Sequence, residues 1–189
     1  NPDGLLVITT RAKPTLNLIS QINLHYRVMY GQEHIAPMKD NGFTPDEIAN
    51  DGIYSALIRP GLAKPGQMIR YYITASDSTL LQKSRSPAYK NPENSPKYYG
   101  TIVSPDDLDS SKLPIFHWFV ENEKAADRPI NSNQRHGSRA SIFYNGHFYD
   151  NVFNRVRGAS APNFSKKPYK FDFNPGNKFL FLLWDESDE

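Results

Sequence analysis

The sequence predicts an all-β, β-rich fold, and three observations carry that expectation. Apolar side chains recur at every second position over several short stretches, which is the period of a half-buried strand. The 15 prolines and 11 glycines cut the chain into runs too short for long helices. Asn145-Gly146 stands between two strand-like runs, and that dipeptide is the strongest short hairpin signal because both residues tolerate the positive φ of a type I′ turn.

Residues 5–9 open the series. Over residues 22–30, Ile22, Leu24, Tyr26, Val28 and Tyr30 alternate with Asn23, His25 and Arg27. Residues 53–59 and 68–75 repeat the pattern, the second with Ile69, Tyr71 and Ile73 on one face and Arg70, Tyr72 and Thr74 on the other. Between them, residues 60–66 contain two prolines and two glycines and form a turn by composition. With residues 98–103 these runs give at least five strands in about 100 residues, the size and turn spacing of an immunoglobulin-like β-sandwich over residues 1–104.

Residues 84–96, with three prolines, are expected to be a loop or wandering edge. Residues 104–112 have no apolar period, so a boundary falls there, with a linker over 105–112. Beyond it comes the aromatic run 115–120, then the polar stretch 125–137, then the hairpin of 140–144 and 147–157. Residues 167–173 alternate again, placing Lys167, Tyr169, Phe171 and Phe173 on one face and Lys170 with Asp172 on the other. Residues 178–184 are expected to be a last apolar strand or a helix start. The only candidate helix is a single turn over 46–50.

Composition excludes several classes. Lysine and arginine exceed aspartate and glutamate by +2 in formal charge, so there is no electrostatic ground for a nucleic-acid partner. Aromatic residues make up 13%, too many for a disordered tail. With no cysteine, disulfides, thiol nucleophiles and Cys-based zinc sites are all ruled out. No apolar run approaches the roughly 18 residues of a membrane helix. The start Asn1-Pro2-Asp3-Gly4 is neither Met nor a signal sequence, and the expectation is a segment of a longer protein.

Four local patterns bear on chemistry. Asp40, Asp46 and Asp51, with Asn41 and Asn50, crowd a Gly-containing loop, which makes that loop the calcium candidate, since hard cations want several oxygen ligands. The spacing departs from the EF-hand, and Asp and Asn are also common turn formers. The basic series Arg155, Arg157, Lys166, Lys167 and Lys170 flanks Gly158 and small residues, a combination suited to a polyphosphate, or else to a solvated sheet face. Trp118, within an aromatic run, is either a sugar platform or core. Asn163-Phe164-Ser165 matches a glycosylation acceptor, a pattern short enough to arise by chance. Metal-helix histidine spacing, the serine-hydrolase elbow, the P-loop and the dinucleotide fingerprint are all missing.

From Leu113 onward the order of residues resembles the opening of the spore coat protein H family, the CotH kinase-like proteins. The matching pieces are Leu113 to Val120 (LPIFHWFV), Ala140 to Val152 (ASIFYNGHFYDNV), Arg155-Val156-Arg157-Gly158, and Lys166 to Phe173 (KKPYKFDF), in the family's order and at similar gaps. The stretch from Asp40-Asn41-Gly42 through Asp51-Gly52-Ile53-Tyr54 resembles the Asp-Gly-Ile-Tyr loop of bacterial extracytoplasmic immunoglobulin-like modules. Two departures stand out: Ala159-Ser160-Ala161 follows Arg157-Gly158 where the family often has a second Gly or a Ser pair, and Pro168 replaces a common Ser.

The resemblance implies an atypical protein kinase that binds ATP with a divalent metal and phosphorylates protein substrates in spore coats or outside the cell. Residues 113–189 would be its β-rich start. The family's lysine would match one of residues 166–170, and strand alternation selects Lys170, with Arg155, Arg157 and Gly158 beside the nucleotide and Lys167 in reserve. The acidic catalytic and metal-binding residues of the family would lie beyond Glu189, so the segment alone is not expected to be a competent kinase. The alternative expectation, from another class, is an extracellular interaction or carbohydrate-adhesion module that binds cell-surface glycans. A third has the parent as a pseudokinase.

Overall fold

The structure is a computed structural model that describes residues 5–105, 114–128, 136–158 and 164–181. Its described residues form three antiparallel sheets and one helical turn, which bears out the all-β expectation.

Strands β1 (Leu6–Arg11) and β4 (Ile53–Ile58) pair along their whole length as a two-stranded sheet. The intervening β2 (Ile19–Val28) and β3 (His34–Pro37) belong to a second sheet with β5 (Met68–Asp77), β6 (Lys83–Ser86) and β7 (Tyr99–Ile102). Its long central pair, β2 and β5, puts Ile22, Leu24, Ile69 and Ile73 on one face, where they meet Ile8, Ala56 and Ile58 of the first sheet and Met38. Leu24 is wholly buried and Ile58 nearly so. The two sheets therefore face each other across one apolar core, and removing that surface from water is what drives them together.

The third sheet holds β8 (Phe116–Val120), β9 (Ser138–Tyr144), β10 (His147–Val156) and β11 (Tyr169–Asp172) in the order β11-β10-β9-β8. The hairpin expected at Asn145-Gly146 is present, with φ of 46° and 78°, the left-handed pair a type I′ turn requires. One face is filled by rings: Trp118, Tyr144, Tyr149, Phe171 and Phe173 pack around Ile142 and Val152. Phe179 lies over them, with ring centroids 5.1 Å from Tyr144 and 5.1 Å from Phe173.

Two expectations are corrected. Residues 178–181 form no strand or helix. A turn closed by the Asn177 N–H on the Asn174 carbonyl sends the chain across the ring face, and Leu180 N–H donates to the Tyr149 hydroxyl. Residues 182–184 lie outside the described residues. The turn over 46–50 is not helical. The one helix among the described residues, α1 (Glu123–Ala126), falls instead at the start of the polar stretch, with Asn122 as its N-cap accepting from Ala125 N–H. Most of the expected linker, 106–112, is outside the described residues.

The third sheet docks on the outer face of the second. Phe148 of β10 lies on Gly100 of β7 so closely that a Cβ there would stand 2.5 Å from the ring, so only glycine fits. Asp150 and Asn151 sit in a β-bulge between the Tyr149 and Val152 register points, and Asn151 has φ 57°. A bulge re-aims side chains. Here it turns Asp150 into the joint, where its carboxylate accepts from Lys97 N–H and Tyr98 N–H at 2.9 Å each and from the Ser141 hydroxyl at 2.8 Å. Arg70 stands 3.6 Å away. Asn151 Nδ2 donates to the carbonyls of Pro92 and Ser95, and Tyr30 OH to that of Phe119.

Asp150 is 2% exposed, and removing one partner of such a buried ionic set leaves the others unmatched. Asp150→Ala is expected to cost about 3–5 kcal/mol in urea unfolding, whereas Ser141→Ala, which removes one neutral donor, costs about 1 kcal/mol.

Candidate functional site

The β10–β11 ladder sets the geometry of the expected basic cluster. Val156 pairs with Tyr169, Arg155 with Lys170 and Asn154 with Phe171. Paired residues project to the same face, so Tyr169 and Phe171 join the ring-filled side while Arg155 and Lys170 stand together on the other. Two like charges in direct opposition repel, and Asp172, two residues along on the same face, offsets this by placing Oδ1 2.9 Å from Lys170 Nζ. The Lys170 side chain is 48% exposed. Arg155 Nε is buried and has no hydrogen-bond partner. An unmatched buried donor costs about 1–3 kcal/mol unless solvent or a ligand reaches it.

Arg157 and Gly158 continue from the end of β10, both exposed. The Arg157 backbone N–H donates to the Pro168 carbonyl at 2.8 Å, and Gly158 takes φ 93°, a conformation that favours glycine. Residues 159–163, where small residues and the glycosylation pattern begin, lie outside the described residues.

Lys167 does not join this group. Its Nζ meets Asp127 Oδ2 at 2.5 Å on the opposite side of the sheet, just past α1, and the Tyr169 hydroxyl donates to the same carboxylate. The hydrogen bond from Lys167, then that from Tyr169, hold the Asp127 carboxyl below its usual range. Asp127 was not legible as a partner because residues 125–137 show no apolar period. The available signal was Asn122 before Glu123, Lys124 and two alanines, a cap followed by helix formers. Trp118 packs edge-on against Tyr169 and Phe171, at 4.6 and 5.3 Å, as a core residue does.

The calcium candidates turn their carboxylates onto their own loop. Asp46 Oδ2 accepts from Asn41 and Gly42 N–H at 2.6 Å each, Asp40 from Asp51 and Gly52 N–H, and Asp51 from Ile53 N–H. This is the work of turn-forming aspartates. Among the described residues, no three His, Cys, Asp or Glu side chains gather as a metal site.

What the cluster offers chemically is a guanidinium fork beside a flexible ammonium on one sheet face, next to a glycine. That combination holds phosphate oxygens by charge-assisted hydrogen bonds. Compared with known proteins, the chain matches no family model, no curated protein and no solved structure. Within the described residues no helix is long and apolar enough to cross a membrane.

Two phenols give this half of the chain and its joint a pH signature. Burial pushes the Tyr30 hydroxyl up to about 12; burial, followed by the hydrogen bond to Asp127, pushes Tyr169 up to about 12. A raised folded-state value keeps the proton on, so the stability involved is fully present below the ordinary tyrosine value of about 10 and is lost as pH rises from there toward 12. Ultraviolet titration should show a late-ionising fraction of phenols that shrinks in both Tyr30→Phe and Tyr169→Phe. Unchanged titration curves in both variants would remove these two environments.

Proposed function

We propose that the chain belongs to a CotH-like extracytoplasmic protein. An immunoglobulin-like sandwich precedes the first sheet of an atypical kinase-like lobe, which faces the phosphates of ATP held with a divalent metal. The observation that carries the reading is the direct opposition of Arg155 and Lys170 on the face of the β10–β11 pair opposite the ring cluster, with Lys170 exposed. The four sequence blocks from Leu113 to Phe173 support it, as does the opposition of two antiparallel sheets in the first hundred residues.

Each residue has a part in this reading. Lys170 supplies a point charge, and Arg155 a fork whose Nε is still unmatched. Arg157 and Gly158 stand at the loop over the nucleotide. Lys167, committed to Asp127, steadies α1 against the sheet and leaves the phosphate to Lys170. Phosphoryl transfer to a protein substrate also needs metal ligands and a residue that orients the nucleophile, and those would come from outside this segment.

A second reading, glycan adhesion, is favoured by one feature. An open groove of about 540 Å³ on the outer face of the second sheet is lined by Gln21, Asn23, His25, Thr74 and Arg85. Amide, imidazole and hydroxyl groups of this kind recognise sugar hydroxyls by neutral hydrogen bonds.

Calorimetric titration of the chain with ATP and magnesium, beside a panel of glycans, separates the two. The kinase-like reading expects nucleotide binding that Lys170→Ala weakens by about tenfold or more, the loss of one charge-assisted contact. Equal affinity in that variant removes Lys170 from the site, and glycan binding without nucleotide binding favours adhesion.

A further inference from the structure

The joint between the second and third sheets contains a half-open cavity of about 150 Å³ lined by four cations, Arg27, Arg70, Lys97 and Arg139. Arg27 and Arg70 oppose each other directly in the β2–β5 register, an arrangement that repels unless anions intervene. Lys97 enters from the loop before β7, and Arg139 from β9. Three of these cations surround one buried ring: Arg70, Arg27 and Lys97 lie 4.6, 5.3 and 5.6 Å from the centroid of Tyr98.

Four cations, Arg27, Arg70, Lys97 and Arg139, meet three carboxylates, Glu33, Asp150 and Glu121, at this joint. Glu33 pairs with Arg27 at 2.9 Å, and Asp150 stands 3.6 Å from Arg70. Among the described residues, neither Lys97 nor Arg139 has a carboxylate within ion-pair distance. Arg139 donates instead to the carbonyls of Glu93 and Asn151. Glu121 and Lys97 both line the cavity and both are solvent-exposed. Arg27 Nε is buried and unpartnered. Asp150 keeps its negative charge, which the Arg70 guanidinium 3.6 Å away offsets, while its oxygens accept from two backbone N–H groups and a hydroxyl.

We propose that this cavity binds a tetrahedral oxyanion of the phosphate or sulfate class, held by Lys97 and Arg139, and that the bound ion cements the joint. The volume corresponds to about five water molecules, too small for a nucleotide or a sugar ring with its neighbours. The site is separate from the Arg155–Lys170 face and does not rest on the kinase-like reading.

The test is thermal unfolding in phosphate, in sulfate and in chloride at matched ionic strength. An ion that binds only the folded state raises the midpoint with its concentration, by about 3 °C or more once it is well above its dissociation constant. Phosphate and sulfate are both expected to do so relative to chloride. Lys97→Met, measured against its own chloride midpoint, should lose more than half of the gain, and Lys170→Ala less than half. Phosphate titrated calorimetrically into the folded protein should give heat that Lys97→Met diminishes. A gain no larger than in chloride overturns the proposal. So does a gain unchanged in Lys97→Met, or one abolished by Lys170→Ala, which would move the ion to the other site.

Discussion

A single buried carboxylate organises the meeting of the two halves of this chain. Asp150 is almost fully removed from water, and an ionised group in that position is tolerable only when its oxygens are met by donors. They are met from three directions: the backbone of Lys97 and Tyr98, the Ser141 hydroxyl on the neighbouring strand, and the Arg70 guanidinium on the far side of the joint. Each donor belongs to a different stretch of sequence, so satisfying the charge fixes the relative placement of β5, the loop ahead of β7, and β9. Geometry at the joint follows from hydrogen-bond direction, which apolar contact alone does not provide.

Around that carboxylate the joint is built from cations and rings. Arg70 stacks over Tyr30, 4.2 Å from its centroid, while two of its nitrogens donate to the Met29 carbonyl. Tyr30 in turn reaches across to the Phe119 carbonyl at 2.7 Å. Phe148 packs against Gly100 at the same joint. Strand β10 supplies both Asp150 and, further along, Arg155, so the strand that anchors the joint also presents the basic face. The same ladder that positions Lys170 against Arg155 is thus held by the bulge that seats Asp150.

Much of the strand framework was legible because burial on one face leaves a period of two in the sequence. Residues 22–30, 68–75 and 167–173 show it, and their observed faces agree with it: Tyr169 and Phe171 join the rings and Lys170 does not. Strand β3 left no such trace, since all but one of its four residues are exposed and it ends at a proline on a sheet edge. The joint was hidden for a different reason. Arg70 reads as a polar position on an alternating strand, yet it is 6% exposed because the third sheet covers that face. The bulge did leave a mark, two consecutive polar residues, Asp150 and Asn151, breaking the alternation between Tyr149 and Val152, but what they would bond to lay some fifty residues away in a proline-rich loop.

Amide hydrogen exchange at Lys97 and Tyr98 tests the central role of Asp150 most directly. Both N–H groups lie where the loop enters β7, outside the regular ladder, and the Asp150 carboxylate is what shields them. They are expected to exchange as slowly as the amides of the β2–β5 centre, and to lose that protection in Asp150→Ala. Exchange in the unaltered protein as fast as that of the exposed 91–95 turn would contradict the account, because the carboxylate would then not be holding the two halves together.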